Sequence, residues 1–249
     1  MTDNAVRYRR ILLKLSGESF RGDKAFGIDP GAVSYLASQI KAVRDLGVEM
    51  GVVVGGGNIL RGAEEAEAGT MDRAAADYAG MLGTLINALA LQDALERQFS
   101  VDTRVQSAIN VQQVAEPYIQ RRAVRHLEKG RVVVFACGTG NPFMTTDTAA
   151  ALRSVEMDAE VILMAKHNVD GVYSSDPKVN PDASKFEFVS YIDALEKRLG
   201  VMDSTAVTFC MENDIPIIVF DLFIPGSLER IVKGEQLGSL VAAEPYGSD

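Results

Sequence analysis

Residues 11–17 read ILLKLSG, and the fold class turns on that stretch. Four of the five residues from 11 to 15 are aliphatic, the pattern of a strand buried on both faces. Lys14 breaks the run. A buried ammonium loses hydration and gains nothing from packing, so the position asks for an anion at the carboxyl end of the strand. Ser16 and Gly17 then let the chain turn with its amides toward that ligand, as a phosphate requires. A lysine snorkelling from an edge strand is the other reading, and the stretch alone leaves both open.

Outward from this strand the chain alternates between the two periodicities. Residues 19–27 are a polar loop with glycines. Asp29 and Pro30 then supply a cap and a first-turn proline, and Val33, Leu36, Ala37, Ile40, Val43 and Leu46 recur at helical spacing up to Gly47. Residues 48–54 are a second apolar run, ending in Gly55, Gly56, Gly57 and Asn58. Strand, helix and strand joined by a right-handed crossover give two parallel strands with their carboxyl ends on one edge. Lys14 and the triple glycine therefore meet where open α/β sheets bind ligands.

Residues 63–69 are acidic and alanine-rich, an exposed connection into a long helix over about 72–98. Tyr78, Leu82, Leu85 and Leu89 form an apolar stripe on it, and Ala74, Asp77, Gly80 and Thr84 a separate face suited to close approach. Further strands are expected at 103–109, 132–136, 160–165, 216–220 and 239–242. Further helices are expected at 148–156, 192–199, 204–212 and 227–232, and Pro117 starts or interrupts a helical pattern over 111–128. The sum is one mostly parallel sheet between helices, with an N-terminal lobe and a C-terminal lobe meeting near Lys166.

Composition bounds the function. The 249 residues suffice for a full core without disulfides or metal. A formal charge of −9 argues against a nucleic-acid or anionic-membrane surface. Cys137 and Cys210, far apart among apolar neighbours, read as buried thiols in a reduced cytoplasm. The first ten residues lack a signal pattern, and no stretch is expected to approach the roughly 18 apolar residues of a membrane helix.

The common nucleotide fingerprints fail. Lys14 precedes its glycine, which excludes the Walker loop, and Leu60 stands where a dinucleotide fingerprint needs its third glycine. A phosphate site of another kind remains, built from Lys14, Gly17, Gly55, Gly56, Gly57 and Arg61, with glycine admitting phosphate oxygens to backbone amides and the cations countering their charge. Residues 138–147, GTGNPFMTTD, carry more hydroxyls and charge than a tight turn needs. Thr145 or Thr146 can cap the helix that follows, and Asp147 can hold Lys14, meet a metal through water, or simply sit as a first-turn acid. Residues 169–177, VDGVYSSDP, place an aromatic and acids at a strand exit. His126 and His167 have no ligand spacing, and no structural zinc is expected. Arg121, Arg122, Arg125 and Lys129 read as a basic helix end favoured by the macrodipole.

Taken together, residues 14–17, Gly55 to Asn58, Arg61 with Gly62, Asp77, GTGNPFMTTD and VDGVYSSDP resemble the amino acid kinase family along nearly the whole chain, from residue 10 to about 241. Within it they resemble the bacterial branch that makes UDP from UMP and ATP. Members acting on acetylglutamate, aspartate, glutamate or carbamate share the first lysine and the glycine strand end but lack the threonine loop in this form. The resemblance implies a three-layer α/β/α sandwich in a single domain over 1–249, with UMP in a lobe of about 1–165 and ATP in a lobe of about 166–249. By resemblance, Lys14, Leu15, Ser16 and Gly17 meet the ATP phosphates with Gly57 and Arg61 beside them, and His167, Tyr173 and Asp176 meet the adenosine. Gly56, Asp77, Thr139, Gly140, Asn141, Pro142, Phe143, Met144, Thr145 and Thr146 hold UMP, Asp77 at the ribose hydroxyls. Asp147 and Asp203 match acids that orient the lysine, the substrates or a Mg²⁺ carried on the ATP phosphates, with Asp203 also fitting as a helix cap.

The acceptor, a phosphate oxygen of UMP, is ionised at neutral pH, so the chemistry asks for no general base. Lys14, Arg61, Asp147 and Asp203 form the expected catalytic set. The resemblance further implies a cytoplasmic homohexamer activated by GTP and inhibited by UTP, with Asp93, Arg104, Arg121 and Arg125 available to an effector between subunits. A carboxylate or carbamate kinase on the same fold, and a nucleotide sensor without turnover, are the competing readings.

Overall fold

Whether Lys14 lies on an edge or a central strand is decided by pairing. In a computed structural model of the chain, described over residues 6–61, 67, 69–177, 179–180 and 182–246, the strands are β1 (Arg10–Leu15), β2 (Glu49–Val54), β3 (Thr103–Ser107), β4 (Glu116–Pro117), β5 (Val132–Ala136), β6 (Val161–Lys166), β7 (Val172–Tyr173), β8 (Lys185–Phe186), β9 (Phe188–Ser190), β10 (Ile217–Asp221) and β11 (Ser239–Ala242). Nine of them form one sheet in the order β4-β3-β5-β2-β1-β6-β10-β11-β9. β1 is its middle strand, paired in parallel with β2 on one side and β6 on the other. The snorkelling reading of Lys14 is thereby excluded. Only β10 and β11 run antiparallel within this sheet, and β7 and β8 make a separate two-stranded ribbon.

The helices are α1 (Glu18–Arg21), α2 (Pro30–Arg44), α3 (Arg73–Phe99), α4 (Gln120–Glu128), α5 (Thr146–Glu156), α6 (Tyr191–Glu196), α7 (Ser204–Glu212) and α8 (Ser227–Val232). They divide between the two faces, and strand alternation shows how. Ile11, Leu13 and Leu15 of β1 join a core with residues of α2, α3 and α8. Leu12 of the same strand joins a core with residues of α4, α5, α6 and α7. The fold is thus the expected α/β/α sandwich. From β1 the sheet grows one way through β2 and the other way through β6, so a topological switch point lies at the carboxyl end of β1, where Lys14 sits.

Local signals account for the element ends. Asp29 caps α2 by accepting from the Ala32 amide at 2.9 Å, with Pro30 in the first turn. Thr145 caps α5, so that helix starts at Thr146 rather than at 148. Pro117 neither starts nor interrupts a helix. It sits in the two-residue edge strand β4, where a missing amide costs little, and α4 begins at Gln120. The short elements α1, β7, β8 and β9 carry too few residues to show a period.

α3 corrects two expectations. Its 27 residues are, by length and composition, long and apolar enough to cross a membrane, which the sequence was not expected to offer, and 44% of its most apolar stretch is buried inside the fold. Its expected stripe is also divided, since Leu85 faces the core with Met81 while Tyr78, Leu82 and Ile86 are exposed. The acidic connection expected at 63–69 falls largely outside the described residues.

Candidate active site

Strand alternation decides which side chains share the sheet edge. Lys14 and Leu12 point to the face that carries α5, and there the Lys14 ammonium meets Asp147 Oδ1 at 2.6 Å. Lys14 is 8% exposed, so the pair is largely withdrawn from water. On β6 the same alternation turns Lys166 to this face with Ile162 and Met164. Burial first, and the Lys14 charge second, hold the Lys166 ammonium below the usual lysine range, with Asp147 and Glu18 opposing. The sequence marks Lys166 as the place near which the lobes meet and gives it no role in the site. Its signal was available, because a charge closing an apolar strand on the face of Lys14 is the same anomaly repeated.

The three glycines after β2 serve different ends. A Cβ on Gly55 would stand 2.7 Å from the Gly17 amide nitrogen, and one on Gly56 would stand 2.6 Å from the Gly80 carbonyl oxygen of α3. Those two let β2 pack against the turn after β1 and against the small-residue face of α3, as that face was expected to allow. Gly57 is different: a Cβ there meets nothing nearer than Arg61 Nε at 3.6 Å. Its bareness opens the backbone to the cavity. Asn58 and Asn87 pin the turn, with Asn87 Nδ2 donating to the Gly55 carbonyl at 2.7 Å and Asn58 Nδ2 to the Gly27 carbonyl at 2.8 Å. Asn87 is fully buried in α3 and no local pattern marks it in the sequence.

A cavity of about 470 Å³ opens beside these residues, within the range of small-molecule sites. Gly56, Gly57, Arg61, Asp77, Thr139, Met144, Thr145 and Thr146 all line it, with Arg73, unmarked in the sequence reading, among them. Gly57 and Arg61, expected beside ATP, thus share a wall with residues expected to hold UMP. Gly140, Asn141, Pro142 and Phe143 do not line it and form the outer turn of the loop. Asp77 ties that turn to α3: its carboxylate takes Arg73 Nε at 2.9 and 3.0 Å and the Phe143 amide at 2.8 Å. Phe143 holds a left-handed φ of 66°, a conformation L residues rarely adopt outside constrained sites. At the loop's end Thr145 Oγ1 accepts from the Asp147 and Thr148 amides and donates to the Asp203 carboxylate. Asp203 also caps α7 through the Ala206 amide at 2.9 Å, so both readings of that acid describe one geometry. Arg61 pairs with Glu18 at the cavity mouth.

A second cavity, about 390 Å³, is lined by Lys166, Tyr173, Asp176 and residues 197–200 among others. β7, of the ribbon β7–β8, and the turn after it form its rim. Ser239 of β11 holds that ribbon by accepting from the Val172 amide at 2.8 Å, and Gly171 is bare because a Cβ would strike Ser239 Oγ at 2.5 Å. Asp170 fixes the rim further, taking the Tyr173 hydroxyl at 2.6 Å and Lys185 Nζ at 2.8 Å. His167 does not line this cavity. One residue past Lys166, it points to the opposite face and packs edge-on against Phe223 at 4.6 Å between centroids. Leu15 is fully buried, so only its backbone is available to a ligand.

Comparison with known proteins now adds to the geometry. Residues 9–221 match the amino acid kinase family. The chain belongs to the amino acid kinase family. The UMP kinase of Bacillus anthracis is 39% identical, with 96% of this chain and 97% of that one covered and a TM-score of 0.92. The UMP kinase of Ureaplasma parvum is 38% identical, covering 95% and 99%, at 0.87. The uridylate kinase of Archaeoglobus fulgidus is 29% identical, covering 93% and 99%, at 0.72.

Within this amino acid kinase the four residues read as an effector site are not drawn into one pocket. Asp93 pairs with Arg97 at 3.6 Å, Arg104 with Glu96 at 3.3 Å and Arg125 with Glu128 at 2.9 Å, while Arg121 is exposed on α4. Arg104 lines a shallow cavity with Gln92, Gln112 and Glu116.

Proposed function

We propose that this amino acid kinase transfers the γ-phosphoryl group of ATP to UMP, giving UDP and ADP. The observation that carries the reading is a pair of cavities near the Lys14 end of the sheet: Thr146 of the first directly precedes Asp147, whose carboxylate holds Lys14, and the second is lined by Lys166, on the same sheet face as Lys14. UMP occupies the first cavity, in the N-terminal lobe of about 1–165, and ATP the second, in the C-terminal lobe of about 166–249. Phosphates then converge on Lys14. Asp77 receives the ribose, Thr139, Thr145 and Thr146 the base side, and Gly57 with Arg61 the phosphate.

Lys14 neutralises charge on the transferring oxygens, and Asp147 keeps its ammonium aimed. Lys166 lends a second cation on the ATP side. The acceptor is already an anion, so positioning in line and charge compensation are what the residues must supply. Asp147 and Asp203 would be the hard oxygen donors this edge offers, through water, to a Mg²⁺ carried on the ATP phosphates, and such an ion would offset their negative charge. Incubation with UMP and Mg·ATP is expected to yield UDP and ADP one for one by ion-exchange chromatography. ADP release without UDP would overturn the assignment.

The finer expectations belong to the same proposal. The exposed row Tyr78, Leu82 and Ile86 on α3 supports self-association in a homohexamer, to be checked by sedimentation velocity, where a monomer at micromolar concentration would count against it. Activation by GTP and inhibition by UTP belong to the same reading, and rates measured with each nucleotide decide them. Two free, buried cysteines support a cytoplasmic location.

A further inference from the structure

The loop 138–147 leaves β5 at Gly138 and ends where Thr145 caps α5, so its two ends are held by different elements. Its entry is unusual: Cys137 and Gly138 have φ of 61° and 56°, consecutive left-handed residues, the first of them not glycine. Thr84 Oγ1 accepts from the Cys137 amide at 2.7 Å. On the other side stands Arg153, two turns into α5 and only 5% exposed. Its Nη2 faces the Gly138 carbonyl oxygen at 3.4 Å, its Nη1 meets Glu156 Oε2 at 2.5 Å, and its guanidinium lies 3.6 Å from the Tyr118 ring centroid. Glu156 is itself held, by the Tyr118 hydroxyl at 2.6 Å and, through its carbonyl, by Gln120 Nε2 at 2.7 Å.

A guanidinium this buried is not spent on solubility. We infer that Arg153 is a positioning residue: it clasps the first carbonyl of the substrate loop to the helix that ends the loop, with Glu156 and the Tyr118 ring fixing its fork. At 3.4 Å the link to Gly138 is at the outer edge of hydrogen bonding, yet a full charge facing a carbonyl dipole in a part-buried setting still orders it. The clasp joins α5, which carries Asp147, to the segment that carries Thr139. It touches no substrate atom. Its effect is to present the loop preformed, so that UMP binding spends less on ordering it. The inference rests on the proposed function for its kinetic part and on geometry alone for its dynamic part.

Both parts are tested together with Arg153→Lys, which keeps the charge but cannot serve Glu156 and Gly138 at once, and with Glu156→Gln, which keeps the volume but frees the fork. In Arg153→Lys, amide exchange of peptides from 138–147 without nucleotide is expected to quicken about tenfold, the scale of one charge-assisted hydrogen bond, with sheet peptides unchanged. The KM for UMP is expected to rise about tenfold, with kcat and the KM for ATP within about twofold. Glu156→Gln is expected to move both readouts the same way by about threefold, and it decides the matter if Arg153→Lys does not fold. Exchange and UMP KM both within about twofold of the wild type in the folded variants overturn the clasp. A wild type that does not phosphorylate UMP overturns the proposed function instead, and faster loop exchange in the variants then still supports the clasp.

Discussion

Lys14→Ala is expected to lower kcat for UDP formation by on the order of 10³-fold while the KM for UMP changes by less than about threefold. Lys14 lies at the switch point of the sheet with its ammonium on Asp147, and in the proposed reaction it meets charge that accumulates during transfer. In the proposed reading UMP is held instead by Asp77 and the threonine loop, which line the first cavity. Removing Lys14 therefore takes away an interaction made mainly in the transition state. It also strands Asp147, whose side chain is 19% exposed, and breaking a fully buried pair costs about 3–5 kcal/mol, less where water still reaches the acid. Kinetics should be read below the lowered unfolding temperature. Turnover within about threefold of the wild type would remove Lys14 from the mechanism.

The glycine turn supplies the second large effect, and it separates two neighbours that look alike in sequence. Gly56→Ala pushes a methyl group 2.6 Å from the Gly80 carbonyl and 2.9 Å from the Thr84 amide nitrogen, both backbone atoms of a packed helix. One of the two elements must move. Overpacking of this kind costs about 2–3 kcal/mol, and for a chain of this size Tm should fall by about 5–10 °C. Gly57→Ala has room for its methyl group and should leave Tm within about 2 °C, yet that methyl lines the cavity where phosphate must approach the backbone, and kcat/KM for UMP should fall about tenfold or more. Calorimetry and initial rates on the two proteins read both effects. Equal stability loss in the two would contradict the division of roles.

The contrast between Gly56 and Gly57 shows what a sequence carries and what it leaves to the fold. The triple glycine was legible as a turn at a strand end, because glycine runs interrupt apolar runs for few other reasons. Which glycine packs and which faces a ligand depends on where α3 crosses, and α3 is placed by contacts distant in sequence. Lys14 was legible as an anomaly in an apolar strand, but its edge-strand alternative fell only when β6, some 150 residues later, was found beside it.

His167 and Lys166 make the opposite case. The period-two rule already implied that only one of them could share a face with Lys14, and register assigned that place to Lys166. Asn87, Arg73 and Arg153 were not legible at all. Each is an ordinary helical residue whose role comes from a partner on another element: the Gly55 carbonyl, the Phe143 ring at 5.5 Å, and the Gly138 carbonyl. Asp203 was legible twice over, since the spacing that makes it a cap also aims its second oxygen at Thr145.

The central claim is the choice of acceptor, and one measurement tests it directly: kcat/KM from ADP release with Mg·ATP, with UMP, CMP, dUMP and acetylglutamate each offered in turn. The two-cavity site built around Lys14, with Asp77 at the ribose and the threonine loop at the base, predicts that UMP exceeds every other acceptor by at least about tenfold. Preferred turnover of acetylglutamate, or binding of UMP without turnover, would contradict it.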